Sequence, residues 1–132
     1  MAYKIASLES LGDNYGFRKV RAPLGVTAFG VNWVVYPPGA AGVLHYHDTQ
    51  DELYLVHQGT AKFTFGEEEE IVGAGGLVHV ESTTHRLVTN VGEDDLVMLV
   101  VGGSGGYVER DGQLVNPDDL ARRQAMSRGE MS

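Results

Sequence analysis

A chain of 132 residues with no cysteine and a formal charge of −8 has room for one buried core and must build any metal site from nitrogen and oxygen. Disulfides, thiolate nucleophiles, iron–sulfur clusters and thiolate zinc sites are excluded, and the acidity argues against nucleic acid, whose binding needs Lys and Arg to displace counterions. No apolar run reaches the roughly 18 residues of a membrane span, and "MAYKIASLESLGDN" lacks the apolar stretch of a secretion signal, so a soluble cytoplasmic protein is expected.

The N-terminal segment carries Tyr3, Ile5 and Leu8 in otherwise polar surroundings, suited to packing on a partner or covering the chain's own barrel. Arg18, Lys19 and Arg21 form a small basic cluster that reads as solvated surface. From Phe29 onward, short runs of Val, Leu, Ile, Phe and Tyr alternate with glycine-rich turns. The predicted strands are Phe29–Tyr36, Val43–His47, Leu53–Gln58, Thr60–Phe65, Leu77–Glu81, His85–Thr89 and Leu96–Val101. Many short strands joined by tight turns predict an all-β sandwich or barrel. "GEEEE", ending at Glu70, and the later Glu93, Asp94 and Asp95 read as exposed turns with solvated carboxylates. Asp-Gly within "RDGQ" (Arg110–Gln113), flanked by "YVE" and "LV", predicts a late hairpin. Asn116 as N-cap, Pro117 at the first turn, and Asp118 and Asp119 facing the helix dipole predict a closing helix over Pro117–Met126. Arg122, Arg123 and Arg128 form a second basic cluster, again read as surface. No linker interrupts the chain, so one domain over residues 1–132 is expected, with a barrel core about 29–101 and a hairpin and helix about 107–127.

The chemistry concentrates in "GAAGVLHYHDTQDELYLVHQG", Gly39 to Gly59. Residues two apart in a strand share a face, so His45 and His47 point together and Tyr46 points away. After the short turn "DTQD", Glu52 starts the next strand and can return its carboxylate beside them. His85, far off in sequence, lies within reach across an antiparallel barrel. Three imidazoles and a carboxylate suit one divalent Mn, Fe, Co, Ni, Cu or Zn ion, with two positions of an octahedron left open.

These residues resemble a known family. Gly39, His45, His47, Glu52 and Gly59 match G-x5-H-x-H-x4-E-x6-G, the first motif of the cupins, without a gap, and the likeness covers about residues 29–101. The second motif, G-x5-P-x-G-x2-H-x3-N, is partly kept: His85 and Asn90 are present but four residues separate them, Val80 stands for the proline and Ser82 for the glycine. An extra residue before Asn90 flips the face of every later strand residue unless a bulge absorbs it. The resemblance implies a cupin-type jelly-roll β-barrel with a short C-terminal helix, holding one divalent transition metal ion on His45, His47, Glu52 and His85. It also implies a small-molecule substrate and a homodimer, while charge and hydropathy lead to no expected nucleic-acid or membrane partner. The family's reactions run from dioxygenases to isomerases, epimerases, decarboxylases and lyases. A metal-dependent, dioxygenase-like enzyme is the leading expectation. A non-enzymatic binding or sensing protein and a metal-dependent isomerase or lyase are the alternatives.

Alternation places Tyr54 on the face of Glu52, making it the inward candidate for a catalytic acid or base, against ordinary core packing. His57 and His79 fall on outward faces and read as surface or interface residues. Trp33 and Tyr36 lie in a strand whose inner face the sequence leaves open.

Overall fold

The computed structural model describes residues 2–131. Their strands are β1 (Gly16–Lys19), β2 (Gly30–Tyr36), β3 (His45–His47), β4 (Asp51–Gln58), β5 (Thr60–Phe65), β6 (Glu68–Gly73), β7 (Leu77–Val80), β8 (Leu87–Asn90), β9 (Leu96–Gly103) and β10 (Gly112–Leu114). One sheet runs β1-β2-β9-β4-β7 and a second β6-β5-β8, with β10-β3 as a separate pair. Isolated bridges Ala41↔Thr89 and His45↔Arg86 set β3 beside β8, so the second sheet continues into β3 and β10. All the pairings are antiparallel, as expected for a jelly roll.

Strand β4 shows how the residue pattern builds the wall. Glu52, Tyr54 and Val56 are buried, whereas Asp51, Leu53 and His57 are exposed, the period of two that a half-buried strand requires. Across it on β9, Val100 opposes Tyr54 and Met98 opposes Val56, so the same face continues into the next strand. A register shift between Val56 and Gln58 interrupts this pairing before its last pair, Gln58 with Val97, and Gly59 follows at φ +87°. A Cβ at Gly59 would sit 2.7 Å from the Asp95 carbonyl, so the glycine closing the first motif is required by both conformation and space. Phe63, Val56 and Leu96 are fully buried between the sheets; each such side chain contributes about 2 kcal/mol relative to exposure.

Several expectations are revised. Glu68–Glu70 open β6, an edge strand paired with β5, instead of forming a turn. They remain exposed, with Glu69 ion-paired to Lys62 at 2.8 Å, and charges on an edge discourage pairing with other chains. The "RDGQ" segment forms no local hairpin, because Gly112–Leu114 pairs with β3. The reason lies in Asp111, whose carboxylate accepts from the backbone N–H groups of Thr49 and Gln50 and from the Thr49 hydroxyl, docking this segment on β3. Strand β1 and a short helix α1 (Arg21–Leu24) fall where no element was expected. Asn116 caps the closing helix as anticipated, accepting from Asp118 N at 3.0 Å. That helix begins as a 3-10 turn, Pro117–Asp119, continues as α2 (Leu120–Ser127), and buries Met126 in the core. No helix among the described residues is long and apolar enough to cross a membrane.

Candidate metal centre and its cavity

The two sheets enclose a cavity of about 970 Å³ whose wall includes His45, His47, Glu52 and Tyr54. One ligand atom from each of His45, His47 and Glu52 lies within 4.8 Å of the others. His45 Nε2 is 3.7 Å and His47 Nε2 is 3.1 Å from Glu52 Oε1, spacings that a single ion with ligand distances of roughly 2.0–2.2 Å can span.

Each ring is steered from behind. His45 Nδ1 lies 2.9 Å from the Val43 carbonyl, which can only accept, so Nδ1 carries the proton and Nε2 presents its lone pair to the cavity. His47 Nδ1 is 3.1 Å from the Gln50 side-chain amide and 3.6 Å from Asp111 Oδ2. The Gln50 amide nitrogen faces Nδ1; with the amide turned so that its oxygen faces the ring, it would accept from Nδ1–H and leave Nε2 bare, the ligating form, with the Asp111 carboxylate nearby favouring that proton. His47 Nε2 is buried and has no hydrogen-bond partner of acceptable geometry, despite its short distance to Glu52. A buried, unsatisfied imidazole nitrogen beside a second bare nitrogen and a carboxylate fits a divalent ion of the N/O-preferring series.

Glu52 is held at the centre of a ring of donors. The Tyr54 hydroxyl donates to Oε1 at 2.8 Å, and Arg86 Nη2 lies 3.7 Å from the same oxygen. Burial alone would raise the Glu52 carboxyl, but the adjacent His45 and His47 rings outweigh it and hold the group well below the usual carboxylate range. A divalent ion on the same atoms would take over that role. Burial first, then the Glu52 charge, pushes the Tyr54 phenol well above its ordinary value, so Tyr54 stays protonated and acts as a fixed donor that orients Glu52. Tyr54 therefore faces the cavity as expected, with its hydroxyl proton committed to the carboxylate.

His85 does not join the cluster, which corrects the expected fourth ligand. It is exposed, and its ring stacks on Tyr46 with centroids 4.8 Å apart, on the side away from His45 and His47. Arg86 turns inward in its place, fully buried, with Nη1 donating to the Ser82 carbonyl at 3.1 Å and Nη2 to the Glu81 carbonyl at 3.5 Å. The sequence carried a signal for this. Counting H-x3-N back from Asn90 lands on Arg86, and the same register puts Gly75, at φ +87°, on the motif's opening glycine. Asn90 itself is buried and ties the turn together, donating to the Tyr36 and Asp94 carbonyls and accepting from Gly92 N. The departure from the motif is thus a substitution at the histidine position, not an insertion.

The other assignments follow alternation. His57 is exposed and packs against Trp33 on the outer face, ring centroids 5.7 Å apart. His79 is exposed beside Asp51, Nε2 to Oδ2 3.3 Å. Tyr36 is buried and lines the cavity. Arg123 also lines it, against the expectation of a surface cluster, as do Arg110 and Asp111 from the segment before α2.

Comparison with known proteins agrees with this fold. The family model described as "Cupin domain" matches residues 32–102, more than half of the chain. The chain is a cupin. This cupin resembles a solved cupin protein from Bacteroides fragilis at 19% identity and TM-score 0.69, covering 83% of this chain and 90% of that one. A sugar phosphate isomerase of the cupin superfamily from Silicibacter pomeroyi is 19% identical, with TM-score 0.70 and coverage of 87% and 94%. A DMSP lyase from Ruegeria pomeroyi is 24% identical over 69% of this cupin and 45% of its own chain, TM-score 0.58. At these identities the likeness establishes the fold alone. No curated protein matches the sequence.

Proposed function

We propose that this cupin is a metal-dependent enzyme acting on a small organic substrate, with a divalent ion held by His45, His47 and Glu52. The observation that carries the reading is the meeting of those three ligand atoms within 4.8 Å on the wall of the cavity, with His47 Nε2 buried and unsatisfied. The ion would supply an electrophilic centre with open coordination positions. With Arg86 in the fourth place, the donor set becomes two imidazoles and one carboxylate, the facial set that ferrous oxygenases use. This favours oxygenation, in which both atoms of dioxygen end in the product and no external reductant is needed. Isomerase or lyase chemistry needs a free proton carrier. Tyr54 is committed to Glu52 and Asp111 already accepts from Thr49 and Gln50, which leaves the Tyr36 phenol on the cavity wall, kept protonated by burial, as the candidate for that alternative.

The decisive experiment compares metal content in the wild type and in His45→Ala/His47→Ala, then follows oxygen uptake with a panel of diketones, phenolics and keto acids. One equivalent of metal lost in the double variant, with uptake in the wild type, supports the enzyme. Equal metal in both proteins would remove the site. Metal and ligand binding without turnover would favour a binding protein.

The cupin also pairs with a second copy in this reading. The outer face of the β4-containing sheet exposes Leu53 and Leu77, flanked by partly buried Leu55, Leu99 and Val101, and Tyr3 and Ile5 of the N-terminal segment are exposed as well. An apolar face of this kind supports a self-complementary dimer contact.

A further inference from the structure

Resting on the metal reading above, the substitution of Arg86 at the histidine position of the second motif changes the charge of the centre. A neutral imidazole ligand is replaced by a fixed cation whose Nη2 lies 3.7 Å from Glu52 Oε1. Arg86 cancels the charge of Glu52, and metal-bound imidazoles are neutral, so among the described residues the charge of a bound divalent ion is opposed near the centre by Asp111, 3.6 Å from His47 Nδ1. The rest of the lining adds further positive charge. Arg110 and Arg123 line the same cavity. Among the described residues neither makes an ion pair, and the one hydrogen bond from Arg123 runs from Nη1 to the Gly112 carbonyl at 3.4 Å. Arg110 stands on a turn at φ +55°, a left-handed conformation that a non-glycine residue rarely adopts and that is often found at ligand sites. A chain of net charge −8 therefore carries positive charge along its loaded cavity, from buried Arg86 beside Glu52 to half-buried Arg123 and exposed Arg110 on the lining.

We infer that the cavity selects a small organic anion, a carboxylate or a phosphate monoester, whose acid group meets this uncompensated positive charge and is held by Arg110 and Arg123. Guanidinium forks match both kinds of acid group in a bidentate manner, so the two sources share one recognition chemistry.

The test loads the full chain with Co²⁺ as probe metal and measures uptake by calorimetry. It then titrates pyruvate, glycerol 1-phosphate and neutral hydroxyacetone into the loaded protein, and repeats this in Arg110→Gln/Arg123→Gln. The expected result is at least one anion binding about tenfold or more tighter than hydroxyacetone, an advantage the double variant loses with Co²⁺ uptake unchanged. The better of the two anions identifies the acid group. Equal binding of anions and hydroxyacetone, no anion binding, or an advantage that survives in the double variant would overturn the inference, provided Co²⁺ binds one to one. Failure of the wild type to take up Co²⁺ would instead overturn the metal reading on which it rests.

Discussion

His45 and Arg86 are directly opposed partners in the cavity wall, exchanging both backbone hydrogen bonds, His45 N to Arg86 O at 3.1 Å and Arg86 N to His45 O at 2.9 Å. Directly opposed residues in an antiparallel pair send their side chains to one face. Arg86 therefore turns inward with His45 and is fully buried beside Glu52, while His85 is carried to the outer face with Tyr46.

Arg86→His should complete a four-ligand centre and raise metal affinity about tenfold or more, measured by chelator competition. Arg86→Met, by contrast, leaves the buried Glu52 carboxylate without its fixed cation. It should cost about 3 kcal/mol of stability in urea unfolding with chelator present, at the low end for a broken buried pair because Tyr54 still donates. His85→Ala should leave both quantities unchanged, since the ring is exposed.

Tyr54→Phe removes the hydroxyl that donates to Glu52 Oε1 at 2.8 Å. Metal affinity should fall about 10-fold or more, as for other groups that orient a ligand. If Tyr54 only packs against Phe63, titration of metal into the variant will match the wild type.

Acid should unfold this cupin partly through Asp111. Burial opposes its charge, but the backbone N–H groups of Gln50 and Thr49 and the Thr49 hydroxyl outweigh it and lower the carboxyl below its ordinary range. A group with a depressed folded-state value binds its proton first in the unfolded chain. Its contribution is present above about pH 4 and is lost as the pH falls further. Thermal melts should show Asp111→Asn less stable than the wild type at neutral pH, with the gap closing below about pH 4. A constant gap across that range would refute the assignment.

Leu53→Glu/Leu77→Glu places charge on the exposed apolar face of the outer sheet. Sedimentation should show a dimer for the wild type and a monomer for this variant, with metal binding intact. A monomeric wild type would end the pairing proposal.

The first motif was legible because its geometry is local. Period-two alternation settles the common face of His45 and His47 within β3, and the short turn to β4, on the other sheet, keeps Glu52 close enough to meet them. The same rule placed Tyr54 inward and sent His57 and His79 outward. Asp118 and the Asn116 cap were readable for a similar reason, since a helix start is a matter of adjacent residues. The β6 strand was missed because its glutamates read as turn, and only pairing with β5 makes them an edge. The late hairpin failed because Asp111 finds Thr49 and Gln50, more than 60 residues away, a contact that no local turn preference contains.

The residue types available to the site, the absence of thiolates, the barrel class and the face shared by His45 and His47 all belonged to the chain as written. Which of two adjacent residues, His85 or Arg86, faces the centre was decided only when β3 and the start of β8 came into register, because one residue of slip reverses every side chain of a strand. Register between segments some 40 positions apart is set by the packing of two sheets around one core, and that packing exists only in the folded molecule.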